Sequence, residues 1–213
     1  LLQQACMAFS DVMRTWIYFT EKERDYADFN RARREFFDDR GIDPIPASTG
    51  LGAGLIPAEH HVSRGIYAVK SDPPTERIVM TTPTLNEAPE YGSDFSRGMR
   101  VQEANGTRLL ISGTASLDET GRTAHVGDFE SQARRMLLNV EALLKAQGAG
   151  FDDVVSAITY LKHPEDADRL FEIFHEAGYE GFPNNVVAAE VCRPELLCET
   201  ELLAALPAVR DTP

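Results

Sequence analysis

Positive charge is scarce in this 213-residue sequence: 21 Lys and Arg stand against 34 Asp and Glu, a net charge of −13. Nucleic acid is therefore disfavoured as a partner, because phosphates are held by clustered Lys and Arg. No apolar run approaches the roughly 20 residues that cross a bilayer, so no membrane partner is expected. The opening residues, Leu1 to Cys6, carry neither a basic segment nor a long apolar core, and no signal peptide is expected there. Cysteine is sparse too. Three residues at wide spacing predict free thiols in a reducing cytoplasm rather than a disulfide framework.

Several sequence devices are also missing. There is no GxSxG elbow and no Walker loop. Gly50-Leu51-Gly52-Ala53-Gly54 misplaces its third glycine for a dinucleotide loop, and no helix is expected after it. His60-His61 has no HExxH context, and Cys192 and Cys198 lack zinc-ligand spacing. No metal site and no cofactor are expected. What is present is ordinary for a globular chain, 43% apolar and 26% charged residues, enough for one large domain or two small ones.

Leu1–Ala8 reads as the end of a helix. Val12–Phe19 is β-branched and aromatic and reads as a strand. Glu23–Asp39 is a helix by the recurrence of Tyr26, Phe29, Arg33 and Phe36/Phe37, ended by Gly41. Pro46–Leu51 and Val62–Val69 are extended. A proline-rich connection follows from Ser71 to Pro74, with a strand expected at Arg77–Thr82. Strands at Met99–Glu103 and Arg108–Ser112 are joined by an Asn105-Gly106 turn. Asp128 caps an amphipathic helix that closes at Gly148. Asp153–Leu161 is a strand and Glu165–Ala177 a helix. Val186–Cys192 and Leu196–Ala204 then form a hairpin around Arg193-Pro194.

A shift of 142 positions lays Phe9, Asp11, Val12, Tyr18, Glu23 and Phe29 on Phe151, Asp153, Val154, Tyr160, Glu165 and Phe171 without a gap. Each half has the order helix, strand, helix, two strands, which points to an internal repeat; convergent patterning is the alternative. The first copy lacks the hairpin that opens the second. That difference, and the absence of an initial Met, raise the expectation that residues precede Leu1.

The candidate site lies in the last hairpin. Strand periodicity puts Glu199 and Glu201 on one face, with Cys198, Thr200 and Leu202 on the other. Pairing Cys192 with Leu197 would set Glu190 opposite Glu199 and bring Cys192 to the acidic face; a one-residue slip would remove it. Clustered carboxylates in a partly apolar cleft acquire raised pKa values, the profile of a general acid. Composition alone favours the blander alternative, a solvated sheet face. Arg97 can fork a carboxylate, although a surface ion pair is the commoner role. Ile111-Ser112-Gly113-Thr114-Ala115 sets small residues at a strand end, suited either to close ligand approach or to a plain tight turn.

Ile111-Ser112-Gly113-Thr114, Gly127-Asp128, Gln132, Asn139, Phe151–Val155 and Glu199-Thr200-Glu201 together resemble the Rid (YjgF-type) family over about residues 95 to 207. The resemblance implies an α+β fold, a chorismate-mutase-type mixed sheet backed by two helices, and a homotrimer. It divides the chain into an incomplete N-terminal Rid-like unit plus linker, 1–90, and a C-terminal Rid/YjgF-like domain, 91–213. Rid deaminases carry an Arg after the Pro that starts the penultimate strand; here Asn184 follows Pro183. Phe95-Ser96-Arg97, Ser116, His125, Cys192-Arg193 with Leu196-Leu197 and Glu199, and Trp16, Tyr26, Phe29, Arg33 and Pro46–Gly50 upstream are similar to chorismatase motifs. Cys198 and Thr200 stand where aliphatic residues are expected of that family.

This second resemblance implies hydrolysis of chorismate or a related enol ether to pyruvate and a hydroxybenzoate or dihydroxycyclohexadiene acid. The substrate expected is thus a small carboxylic acid. Glu199 and Cys192 are the implied catalytic residues, and Arg97, Ser112, Gly113 and Tyr91 the substrate-binding candidates. The alternatives are a Rid-type enamine/imine deaminase and a non-catalytic Rid-like ligand-binding module. The first copy carries neutral or small residues over Pro46–Gly54, its strand comparable to the closing hairpin, which singles out Glu199 over Glu201.

Overall fold

A computed structural model describes residues 1–72, 75–179 and 181–208. Pro73 and Pro74, in the proline-rich connection, lie outside the described residues. The first strand, β1 (Val12–Phe19), leads into helix α1 (Lys22–Arg40), then β2 (Ala47–Gly52) and β3 (Val62–Ala68). These strands form a sheet of order β2-β1-β3, with β2 parallel to β1 and β3 antiparallel to it. Gly41 ends α1 at φ +56°, a left-handed conformation that glycine adopts without a Cβ penalty. Aromatic rings fasten α1 to the sheet: Phe19 meets Tyr26 and Phe29 at 5.7 and 5.3 Å, and Phe9 meets Phe36 at 5.0 Å. The expected helix end at Leu1–Ala8 is a single 3₁₀ turn at Gln3–Ala5.

The second sheet has six strands: β4 (Arg77–Val79), β5 (Gly98–Glu103), β6 (Gly106–Ala115), β7 (Val154–Leu161), β8 (Asn184–Ala188) and β9 (Cys198–Pro207). Their order is β4-β5-β6-β9-β7-β8. The turn between β5 and β6 is Ala104–Asn105, with Glu103 paired to Gly106, so the glycine opens the strand rather than sitting in the turn. A Cβ on Gly106 would stand 2.3 Å from the Leu206 carbonyl, which is why that position cannot carry a side chain. Helices α2 (Phe129–Lys145) and α3 (Ala167–Glu176) back this sheet. Asp128 caps α2 by accepting from the Ser131 amide at 3.1 Å. Val140, Leu143, Leu144, Leu170 and Ile173 are fully buried between helices and sheet. At about 1.5–3 kcal/mol for each large apolar side chain, that layer supplies much of the folding drive.

The repeat is visible in three dimensions. β1 and β7 begin at matched positions, each after a 3₁₀ turn in which Asp11 or Asp153 accepts the amide of Ala8 or Gly150 at 2.8 Å. Each strand has a parallel neighbour on one side and an antiparallel one on the other, and the antiparallel register shifts at Val12/Arg14 and at Val154/Ser156. The mixed α+β fold with an extra N-terminal copy of the unit is therefore as expected.

The closing hairpin is not formed. β8 pairs in parallel with β7, and β9 inserts on the other side of β7, next to β6. The parallel crossover through α3 places β8 on one edge of β7, leaving β9 only the opposite edge. Residues 189–197 thus cross the end of β7 as a loop, and Glu190 pairs with Gly52 rather than with Glu199. It follows that the first-copy counterpart of β9 is β3, not Pro46–Gly54. Tyr18 faces Ser63 where Tyr160 faces Glu199, and Trp16 faces Gly65 where Ile158 faces Glu201. The acids remain confined to the second copy.

The two sheets meet through a buried ion pair. Arg14 Nη2 donates to Glu201 Oε2 at 2.7 Å and to Thr49 Oγ1 at 2.7 Å, its Nη1 donates to the Ile111 carbonyl, and Trp16 Nε1 donates to Glu201 Oε1 at 2.9 Å. Breaking such a pair leaves an uncompensated buried charge. Arg14→Met should lower stability by about 3–5 kcal/mol in urea unfolding, and adding Glu201→Leu should restore most of it. A loss below about 1 kcal/mol would mean that the pair is solvated.

Candidate active site

The acid-bearing face of β9 turns toward the first unit. Glu199 and Glu201 are 2% and 5% exposed, which overturns the solvated-face alternative. The two carboxylates are treated differently. Glu201 has Arg14 and Trp16 as partners, whereas Glu199 Oε2 is buried without a hydrogen-bond partner among the described residues. Burial pushes Glu199 up from 4.5 to about 7; the Cys192 thiol and amide oppose that shift, and Glu201 adds to it. At neutral pH a large fraction of Glu199 keeps its proton.

Gly113 makes room for this group. A Cβ there would fall 1.8 Å from Glu199 Oε1 and 3.0 Å from the Thr49 methyl. The Gly113 amide donates to Thr49 Oγ1 at 2.9 Å, the same hydroxyl that Arg14 binds, so the paired and unpaired acids rest on one connected framework. Ser112 does not reach the pocket. Its hydroxyl is buried, donating to the Ser96 carbonyl at 2.6 Å and accepting the Ser48 amide at 2.9 Å, and so joins β2 to β6.

The pocket over Glu199 is lined from both units, with Tyr26, Arg33 and Gly50 from the first and Arg97, Gly113 and Cys192 among those from the second. Arg97 is 1% exposed, donates from Nε to the Asn86 carbonyl at 2.9 Å, and forms no ion pair among the described residues. The surface-pair role for it is overturned. Arg97 and Arg193 lie over the Tyr91 ring, each 5.1 Å from its centroid, and burial raises the Tyr91 phenol to about 12. Arg193 is further held by the Gly121 carbonyl at 2.8 Å. Tyr91 thus spaces two guanidinium groups while lining the pocket.

Arg33 is the third cation. It donates to Asn30 Oδ1 at 2.7 Å, its Nε is buried without a partner among the described residues, and burial lowers its pKa. Asp94, the nearby acid, is engaged by Arg34 at 3.1 Å. Among the described residues, none of Arg33, Arg97 and Arg193 forms an ion pair. Three unpaired cations facing one protonatable carboxyl make a pocket suited to a ligand with more than one negative charge. In the sequence Arg33 stands out only by helical periodicity and motif resemblance. Its place on the apolar face of α1, between Phe29 and Phe36, is the signal that marks it. Cys192 is half-buried beside Glu199, and desolvation together with that carboxyl raises its thiol pKa, so it is a neutral packing and hydrogen-bonding group rather than a thiolate. Among the described residues, no three His, Cys, Asp or Glu side chains gather in a way that could hold a metal, and none of the helices is long and apolar enough to cross a membrane.

Comparison with known proteins adds to this geometry. The profile of the family described as Endoribonuclease L-PSP matches residues 85–206. A 3-hydroxybenzoate synthase of Streptomyces hygroscopicus is 28% identical over 215 residues, covering 91% of this chain and 63% of that protein. A crystal structure of a chorismatase superposes with a TM-score of 0.77 at 25% identity, covering 92% of this chain and 64% of that one. A RutC family protein of Pyrococcus horikoshii is 34% identical over 119 residues, 55% of this chain and 90% of that protein. The chain thus spans less than two thirds of the two proteins that match both of its units.

The unpaired burial of Glu199 has a thermodynamic signature. Its folded pKa of about 7 lies above its ordinary 4.5, so its contribution to stability is full below pH 4.5 and is lost as pH rises to about 7. The stability of Glu199→Gln relative to wild type should therefore rise across that window and level off above it, measured by urea unfolding at a series of pH values. A difference that is flat with pH would contradict the raised pKa.

Proposed function

This chain belongs to the Endoribonuclease L-PSP family, and on that premise we propose that it hydrolyses chorismate or a closely related dicarboxylate enol ether, releasing pyruvate. The observation that carries the reading is the pairing, in one pocket, of a carboxyl protonated near neutrality with three guanidinium groups free of protein carboxylates. Enol ether hydrolysis begins with proton transfer to carbon, which needs an acid in its protonated form. A substrate with two carboxylates needs cations that are not already neutralised.

In this reading Glu199 gives its proton to the enolpyruvyl methylene. The resulting oxocarbenium ion is attacked by water, and the hemiketal collapses to pyruvate and a dihydroxycyclohexadiene acid. Attack by a ring hydroxyl instead leads toward a hydroxybenzoate. The carboxylate left on Glu199 recovers a proton before the next cycle. General acid catalysis of this kind contributes roughly 10²–10⁴-fold. Arg97 and Arg33 hold the substrate carboxylates, Arg193 keeps Tyr91 and the loop in place, and Cys192 lines the ring pocket beside the acid. The names of the Streptomyces synthase and the chorismatase, which match both units, support the substrate, and the synthase's name supports the hydroxybenzoate branch.

Glu199→Gln should abolish pyruvate release from chorismate while leaving the far-UV circular dichroism unchanged, and full turnover by that variant would refute the assignment. For the wild type, kcat/KM should be level at low pH and fall about tenfold per unit above pH 7, where Glu199 loses its proton. Arg33→Met should lower kcat/KM by about 10- to 100-fold, the loss of one charge-assisted hydrogen bond. Its stability should be unchanged or higher, because an unpaired buried cation has been removed.

A further inference from the structure

The loop of residues 189–197, which presents Cys192 to Glu199, belongs to the second unit but is held in part by the first. Glu190 exchanges two backbone hydrogen bonds with Gly52 on β2, at 2.8 and 3.1 Å. A Cβ on Gly52 would stand 2.8 Å from the Glu190 Cβ, which cannot swing aside, so that contact favours glycine. One residue further on, the Val191 carbonyl accepts from the ammonium of Lys22, the first residue of α1. Lys22 is 6% exposed and forms no ion pair among the described residues. Lysine is rarely buried without a carboxylate partner, and here the ammonium is spent on a single peptide carbonyl next to Cys192. From the other side, Gln132 and Lys162 hold Glu195, Leu197 and Pro194. Those contacts fix the far half of the loop and leave the Val191 carbonyl to Lys22, while the amide of the same peptide, that of Cys192, meets Glu199.

We propose that Lys22 is a positioning residue: it fixes the Val191 carbonyl from the first unit and thereby sets Cys192 against Glu199. The assignment of Cys192 and Glu199 to catalysis rests on the function proposed above, but the clamp does not. The ammonium also adds positive charge facing both groups. Two halves of a duplicated chain thus cooperate in one site, with the first supplying a fixed cation at the N-terminal end of its helix and the second supplying the acid.

The test measures shielding of Cys192, which requires no turnover. Native protein is treated with iodoacetamide, and alkylation of each cysteine is followed by peptide mass spectrometry, with exposed Cys6 and buried Cys198 as internal references. Lys22→Met should speed alkylation of Cys192 about tenfold or more through local opening of the loop, with Cys198 unchanged. Lys22→Arg, which keeps a charged donor, should stay within about threefold of wild type. Lys162→Met, on the far half of the loop, should have the smaller effect on Cys192. With chorismate, Lys22→Met should lower kcat more than it raises KM, and Lys22→Arg should recover most of the loss. A folded Lys22→Met protein with wild-type shielding of Cys192 overturns the proposal. So does failure of both Lys22→Met and Lys22→Gln to fold, because Lys22 would then be structural. A wild type that releases no pyruvate but shows the expected alkylation pattern refutes the function and keeps the clamp.

Discussion

Two carboxylates two residues apart on one strand cannot both be buried and ionised at little cost, and the structure resolves this by treating them unequally. Arg14 and Trp16 take Glu201, so its negative charge is matched within the protein. Glu199 receives burial without a cation at hydrogen-bond distance on Oε2, and its protonated state persists up to about neutrality. A proton donor arises from the same sheet geometry that yields a structural ion pair one step along the strand. Thr49 and Gly113 connect the two environments, so the arrangement is a property of the contact between the units rather than of β9 alone.

That contact explains why the duplicated unit matters. A Rid-like sheet by itself would leave the acid-bearing face of β9 open to water, where carboxylates titrate near their ordinary values. Here β1, β2 and α1 cover that face, contributing Arg14 to the neutralised acid and Tyr26, Arg33 and Lys22 around the other. The first copy carries Ser63 and Gly65 where the second carries Glu199 and Glu201, so one copy works as wall and cation source and the other as acid. The Trp16 ring packs over Gly65, 3.4 Å from where a Cβ would be.

Much of this was legible in the sequence. The 142-residue repeat, the limits of most elements, the shared face of Glu199 and Glu201, and the grouping of Arg97, Tyr91, Gly113 and Cys192 follow from periodicity, turn chemistry and motif resemblance. The hairpin around Arg193-Pro194 was misread because two apolar runs separated by a short turn look alike whether they pair or merely follow each other; only the α3 crossover decides. Arg33 and Lys22 escaped because a cation on an amphipathic helix is usually solvated, and its burial depends on a partner unit more than a hundred residues away. Ser112 looked like a ligand-approach residue because small residues serve tight packing and ligand binding equally well.

The central claim, that a buried protonated Glu199 delivers its proton to an enol ether carbon, is tested most directly by turnover of chorismate in D₂O, with the pyruvate analysed by mass spectrometry before it can exchange. A carboxyl that equilibrates with solvent delivers a deuteron, so the account predicts pyruvate carrying one deuterium in its methyl group from the wild type and no pyruvate from Glu199→Gln. Pyruvate released with an unlabelled methyl group would mean that the hydrogen comes from the substrate itself, and would contradict the role given to Glu199.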